Sequence, residues 1–393
     1  MPPLRILSIA TLFPDAARPN FGLFVERSLR ALAEQPDIDL TVVAPVGLPP
    51  WPLSLHARYR LLRALPRREA WNGLTVHRPR FALLPRYGAR FNPAAIARAV
   101  LPITRAVRPD VIDAQFFYPD GPAAMRVAAT LGLPFSAKAR GADISHFGHA
   151  PATAPQLLEA ADAAAGLLAV SKAMRRDMAA IGIDAGKVRV HYTGIDGDRF
   201  HPGDRAAARA AFAMGDAPAI LTVGALIPRK GQELVIAALP ALPGVHYWLA
   251  GAGEEEGAYR ALAARLGVAE RVHWLGPVAN ADLPQLYRAA DVVAMPSKSE
   301  GLANAWVEAL ACGTPIVISD AGGAAELVTS PAAGRIVPRE PGAIAQAVRA
   351  ILAAPPAPGD VAESLGGRFD WDRNGRELAE HLRGCAASSL RGA

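Results

Sequence analysis

The chain has 393 residues, 51% of them hydrophobic and 20% charged, with two cysteines and a formal net charge of +6. That hydrophobicity excludes intrinsic disorder, and the length points to two domains, each long enough to bury its own core. Cys312 and Cys385 are too few and too far apart for a disulfide framework or a thiolate metal site, which suits a reducing cytoplasm. No unbroken apolar run reaches the roughly 18 residues of a spanning helix, so no membrane crossing is expected.

Arg5 followed by Ile6-Leu7-Ser8-Ile9-Ala10 resembles the start of a secretion signal, but the run is short and Pro14-Asp15 follows it without a small-residue cleavage site. It reads as a buried first strand. From there apolar runs alternate with alanine-rich helical stretches, the pattern of a parallel sheet with helices on both faces. Strands are expected over Leu4–Ala10, Leu40–Ala44, Leu74–Arg78, Val111–Ala114, Phe135–Ala137, Gly166–Val170 and Val188–His191. Helices are expected over Gly22–Glu34, Pro93–Val107 and Ser171–Ile181, the last with Ser171 as its N-cap. After the turn-rich stretch Tyr192–Pro202 a second series begins, with strands at Ala219–Val223, Tyr247–Ala250, Val272–Leu275, Val292–Met295 and Ile316–Ile318. Its helices start near Gly231, Glu254, Asp282, Asn304 and Gly323. The fold class is therefore α/β, two doubly wound Rossmann-like domains facing a central cleft, over residues 1–192 and 193–370. Residues 371–393 carry a last helix, Trp371–Arg383, and the Pro/Ala-rich Ala353–Gly359 reads as a hinge-like connection before it.

Open parallel sheets bind ligands beyond the carboxyl ends of their strands. The most informative strand-to-helix loop runs from Met295-Pro296-Ser297 through Glu300-Gly301-Leu302-Ala303 into a helix near Asn304, with Glu308 about one turn inside it. The amides of Gly301, Leu302 and Ala303 at a helix start suit an oxygen-rich ligand. Two carboxylates beside them can accept hydrogen bonds from hydroxyls, which sugars supply. The string from Pro296 to Pro315, with a Glu, seven residues and a second Glu, ending Glu308-Ala309-Leu310-Ala311-Cys312-Gly313-Thr314-Pro315, resembles the signature of the retaining glycosyltransferases of family 4 (glycosyltransferase group 1). These have the GT-B fold. A solvated helix residue and a loop charge are the plain alternatives for Glu308 and Glu300.

The resemblance implies roles for further residues. The basic pair that holds the donor diphosphate matches Arg229 and Lys230, a guanidinium fork beside a flexible ammonium in Thr222-Val223-Gly224-Ala225-Leu226-Ile227-Pro228-Arg229-Lys230-Gly231. Charge builds on the β-phosphate as the nucleotide leaves, so both cations should act most strongly in the transition state. Glu300 would bind donor sugar hydroxyls and Glu308 the nucleotide ribose. The loops carrying Gly224, Gly251, Gly253 and Val278 would border the nucleotide. Leu249-Ala250-Gly251-Ala252-Gly253-Glu254-Glu255-Glu256 lacks the third glycine of a dinucleotide fingerprint, which argues against a nicotinamide enzyme. In the first domain Gly22 would turn its amide toward the donor phosphates, although many relatives have two adjacent glycines where this chain has one. Arg140 stands where the family often has histidine. It cannot be a general base at neutral pH and reads as a donor-orienting group. Asp143 either faces the acceptor or braces its own loop. The last helix would cross back to the first domain, and domain closure would exclude water.

Phe13-Pro14 with Gly22-Leu23-Phe24-Val25 resembles members that assemble cell-surface and secreted polysaccharides. The implied function is a retaining hexosyltransferase using a nucleotide-diphosphate sugar and a glycan or lipid-linked acceptor, with no cofactor and no metal site. Asp196-x-Asp198 has chance counterparts at Asp37-x-Asp39 and Asp370-x-Asp372. A non-catalytic nucleotide-sugar-binding or scaffold paralogue, a GT-B-fold epimerase and a phosphorylase are the rivals.

Residues 1–192 hold 24 Lys and Arg against 14 Asp and Glu, and the rest of the chain holds 18 against 22. Nine arginines between Arg58 and Arg90 face one acid, Glu69. Residues 51–90 mix them with apolar side chains and read either as an amphipathic surface for an anionic membrane or as a solvated helix. The first reading puts a cytoplasmic protein at the inner face of the plasma membrane. No stacking platform accompanies the charge, so nucleic acid is not an expected partner.

Overall fold

The computed structural model describes residues 2–84 and 88–389. It divides into two compact units: the described residues up to Gly194 together with those from Trp371 on, and Ile195–Asp370.

The first unit contains strands β1 (Leu4–Ile9), β2 (Ile38–Val43), β3 (Val46–Leu48), β4 (Arg68–Trp71), β5 (Leu74–His77), β6 (Arg80–Ala82), β7 (Val111–Ala114), β8 (Phe135–Ala139), β9 (Gly166–Ala169) and β10 (Val188–Val190). Eight of them form one sheet in the order β10-β9-β8-β7-β1-β2-β5-β4, parallel except for the β4–β5 edge, and β3 pairs with β6. The strands expected from sequence all form, with ends shifted by one or two residues. One face of the sheet is covered by a core that includes Ile96, Val100, Val127, Leu157 and Met174. On the other face Val25, Leu29 and Leu32 pack with Leu378, Ala379 and Leu382 of the last helix, Trp371–Ser389, which is longer than its sequence pattern suggested. Ser171 caps its helix by accepting a hydrogen bond from Met174 N at 3.0 Å. The connection Ala353–Gly359 requires correction. It runs into a short helix, Pro358–Glu363, and does not lead directly to the last one, because Pro358 sits at a first-turn position where its missing N–H costs nothing.

Beneath the last helix lies a polar row. Ser8 Oγ donates to Asp113 Oδ2 at 2.8 Å, Ser136 Oγ hydrogen-bonds His381 Nε2 at 2.7 Å, and Lys138 Nζ meets His191 Nδ1 at 2.8 Å. His191 Nε2 reaches the Asn374 carbonyl at 2.9 Å. Burial, aided by Arg189 and Lys138, pushes His381 down from its ordinary 6.5 to about 4. An unfolded chain therefore binds this proton from about pH 6.5, and the folded one only near 4. The stability from keeping the ring neutral is present above pH 6.5 and is lost as pH falls toward 4. His381→Gln should flatten that part of the acid sensitivity, so its melting temperature should fall less between pH 7 and pH 5 than that of the wild type. Equal slopes in thermal melts would contradict the assignment.

The second unit is one parallel sheet of β11 (Ala219–Val223), β12 (His246–Ala250), β13 (Val272–Gly276), β14 (Val292–Met295), β15 (Ile316–Ile318) and β16 (Gly334–Ile336), ordered β13-β12-β11-β14-β15-β16. β16 was not expected; Gly-Arg-Ile is too short to show an alternation. The strand order reverses between β11 and β14. Such a switch point leaves a crevice at the carboxyl ends of these two strands.

Candidate active site

Two loops meet at the switch point of the second unit. The first leaves β11 at Gly224 and ends in the turn Pro228–Lys230. The second leaves β14 at Pro296 and enters the helix Asn304–Ala311. One backbone and one side-chain hydrogen bond lock them together: Lys298 N donates to Arg229 O at 2.7 Å, and Arg229 Nη1 donates to Ser299 O at 2.5 Å. Gly231 stands at φ 76°, and a Cβ there would strike the Pro296 carbonyl. Gly251, at the end of β12, has φ 149°, and its missing Cβ would meet the Gly224 carbonyl oxygen. Both positions need glycine because the backbones touch.

The lock brings the predicted charges into one cluster. Glu300 Oε1 accepts from Lys230 Nζ at 2.7 Å and lies 3.2 Å from Arg229 Nη1. The Glu300 and Lys230 side chains are only 9% and 14% exposed, whereas Arg229 is 43% exposed. One carboxylate thus pairs with two cations and leaves the cluster with one net positive charge, and its pair with Lys230 lies in a shielded niche where charge interactions exceed their strength in water. Gly301, Leu302 and Ala303 are buried beside it, and Gly301 O accepts from Gly323 N at 2.9 Å. Glu308 stands in the following helix, with Oε2 accepting from Tyr287 Oη at 2.8 Å. Gly253 follows β12 against Leu226, and Val278 is half-buried after β13.

The residues expected in the first unit lie at its own switch point, between β1 and β7. Gly22 caps the helix Leu23–Ala33 at φ 74°, with the Leu12 carbonyl where a Cβ would be. Arg140 Nε and Nη2 donate to Gln115 O and Oε1, both at 2.6 Å, and burial lowers its guanidinium to about 10. Of the two readings of Asp143, the loop brace is the one the geometry fits: its buried carboxylate accepts from the amides of Phe117, Arg140, Gly141 and Ile144. Sequence reasoning missed Asp120, a fully buried carboxyl raised to about 7 by burial, whose Oδ2 accepts from Thr11 N at 3.1 Å. It also missed Tyr287 and the Gly322-Gly323 loop, where a Cβ on Gly322 would strike the Glu300 carbonyl. The glycine pair shortly after a strand was a visible signal; Tyr287 gave none, being one aromatic among core residues of a helix.

Among the described residues no group of three or more His, Cys, Asp or Glu side chains could hold a metal ion, and no helix is long and apolar enough to cross a membrane.

Two Rossmann-like units, the second with a paired-cation and carboxylate cluster at its switch point, are the arrangement of the GT-B fold class. Family models described as "Glycosyl transferases group 1" and "Glycosyltransferase Family 4" match residues 204–365 and 22–199. The chain belongs to the group 1, family 4 glycosyltransferases. It is 37% identical over 214 residues to the D-inositol 3-phosphate glycosyltransferase of Mycolicibacterium gilvum, covering 50% of this chain and 48% of that one. The enzyme of the same name from Mycobacterium tuberculosis (strain F11) is 40% identical over 163 residues, 40% of this chain and 34% of the relative. The matched part thus spans about half or less of these relatives. Among solved structures, sucrose-phosphate synthase from Thermosynechococcus elongatus superposes with a TM-score of 0.79 at 21% identity, over 98% of this chain and 100% of that one. Anabaena HepE in complex with UDP-glucose gives 0.73 at 23% identity, over 97% and 99%. Both likenesses bear on the fold.

Proposed function

We propose that the protein is a retaining glycosyltransferase that moves a hexose-type sugar from a nucleoside-diphosphate donor to a glycan or lipid-linked acceptor, in the synthesis of bacterial cell-surface or secreted polysaccharide. The observation that carries this reading is the cluster of Glu300, Lys230 and Arg229 at the switch point of the second unit. There Lys230 and Arg229 take the donor diphosphate and stabilise the charge that grows as it leaves. Glu300 binds sugar hydroxyls, and Glu308 binds the ribose. The acceptor hydroxyl attacks on the face from which the phosphate departs, so the anomeric configuration is kept without an enzyme nucleophile. HepE, crystallised with UDP-glucose, makes that compound the first donor to try. The test is a panel of nucleotide sugars with purified protein and lipid-linked acceptors, the product anomer being read by proton NMR. One donor turned over into a product of retained configuration is expected. A donor that binds but is never transferred or hydrolysed would favour the scaffold reading instead.

The same reading places the protein at the cytoplasmic face of a membrane. The exposed large hydrophobic side chains among the described residues are Trp51, Leu53, Leu55, Leu61, Leu84 and Phe91, all within the basic stretch or next to it. Arg60, Arg63, Arg67, Arg68 and Arg90 are exposed beside them, while Arg86 lies outside the described residues. Apolar side chains interleaved with cations suit an anionic leaflet, at about 1 kcal/mol per cation near the surface. Co-sedimentation with phosphatidylserine-containing vesicles is expected and should weaken steeply in high salt. Equal recovery with pure phosphatidylcholine vesicles would contradict it.

A further inference from the structure

Tyr287 lies on the helix Leu283–Ala289 and is fully buried. Its hydroxyl donates to Glu308 Oε2 at 2.8 Å. The residue is held from two sides. Its ring packs against Phe200 with centroids 6.3 Å apart, and its backbone carbonyl accepts from the buried Thr314 Oγ1 at 2.7 Å, just past the helix that carries Glu308. Burial and the adjacent Glu308 carboxylate push the phenol well above its ordinary 10. It therefore keeps its proton and acts as a donor throughout the working pH range. A rigid donor fixed to one carboxylate oxygen restricts rotation of that carboxylate about its last bond, which has a broad, two-fold profile when unrestrained.

We infer that Tyr287 is a positioning residue for the donor nucleotide: by holding Glu308 Oε2 it sets the orientation in which the carboxylate receives the ribose hydroxyls. This rests on the reading of Glu308 as the ribose ligand. A phenol that merely satisfied itself in the core would affect stability alone, so the two roles separate in binding measurements.

Tyr287→Phe keeps the ring and deletes the hydroxyl. Calorimetric titration with UDP, or with the nucleoside diphosphate that the donor panel selects, should show affinity about ten-fold weaker, the scale of one hydrogen bond to a charged group. The KM for the donor should rise by the same factor, with kcat within about two-fold of wild type. Discrimination between UDP and 2′-deoxy-UDP should shrink, and Tyr287→Phe should add nothing in a Glu308→Gln background. An unchanged affinity and an unchanged 2′-deoxy ratio, with only the melting temperature lowered, would overturn the inference. Were Tyr287→Phe not to fold, Glu308→Asp supplies the second variant: it draws the carboxylate back from an intact phenol and should reduce the same discrimination, and full retention would count against the inference. If Glu308→Gln itself leaves UDP affinity and the 2′-deoxy ratio unchanged, the ribose assignment fails first, an outcome distinct from failure of Tyr287 alone.

Discussion

Lys230→Ala is expected to lower turnover by about 10²–10³, the effect of removing one well-placed donor to a developing anion. The side chain is 14% exposed and lies 2.7 Å from Glu300, so the ion pair holds it in place. A preorganised cation in a shielded niche loses little to reorganisation when charge appears on the leaving phosphate, and this is why kcat should suffer more than donor binding. Arg229, which is 43% exposed, is the more screened of the two cations, and its removal should cost less. Steady-state kinetics with a saturating acceptor checks both. Wild-type kcat in Lys230→Ala would remove the residue from the mechanism.

Glu300→Gln should separate the two halves of the donor. Glu300 Oε1 is the anion paired with both Lys230 and Arg229, so an incoming diphosphate must compete with it. Neutralising the carboxylate leaves the cations without that competitor. Affinity for a nucleoside diphosphate that lacks the sugar should therefore hold or rise by several-fold, while transfer falls by about ten-fold or more through loss of a charged hydrogen bond to the sugar. Titration calorimetry beside a transfer assay reads both effects. A parallel loss of nucleoside diphosphate affinity would mean that Glu300 organises the site and does not compete within it.

The sheets were legible in the sequence because buried parallel strands leave short, continuous apolar runs, as at Ile220 and Leu221 of β11 and at Val292 and Val293 of β14. Strand β4, Arg-Glu-Ala-Trp, was not legible, since an antiparallel edge strand is half-exposed and carries charge. In the same way the string around Glu300 and Glu308 announced the site, while the residues that position it stayed hidden. Tyr287 is 21 residues from Glu308 and meets it only because two helices pack side by side. Asp143 shows the converse. Its place shortly after Gly141 was visible, but only the folded loop reveals that its carboxylate is fully engaged by backbone amides.

A crystal structure of the protein with a bound nucleoside diphosphate tests the central claim most directly. The diphosphate is expected within hydrogen-bond reach of Lys230 and Arg229, with the ribose hydroxyls on Glu308. A nucleotide bound away from the switch point between β11 and β14, or one whose diphosphate leaves the Glu300 ion pairs intact and untouched, would contradict it.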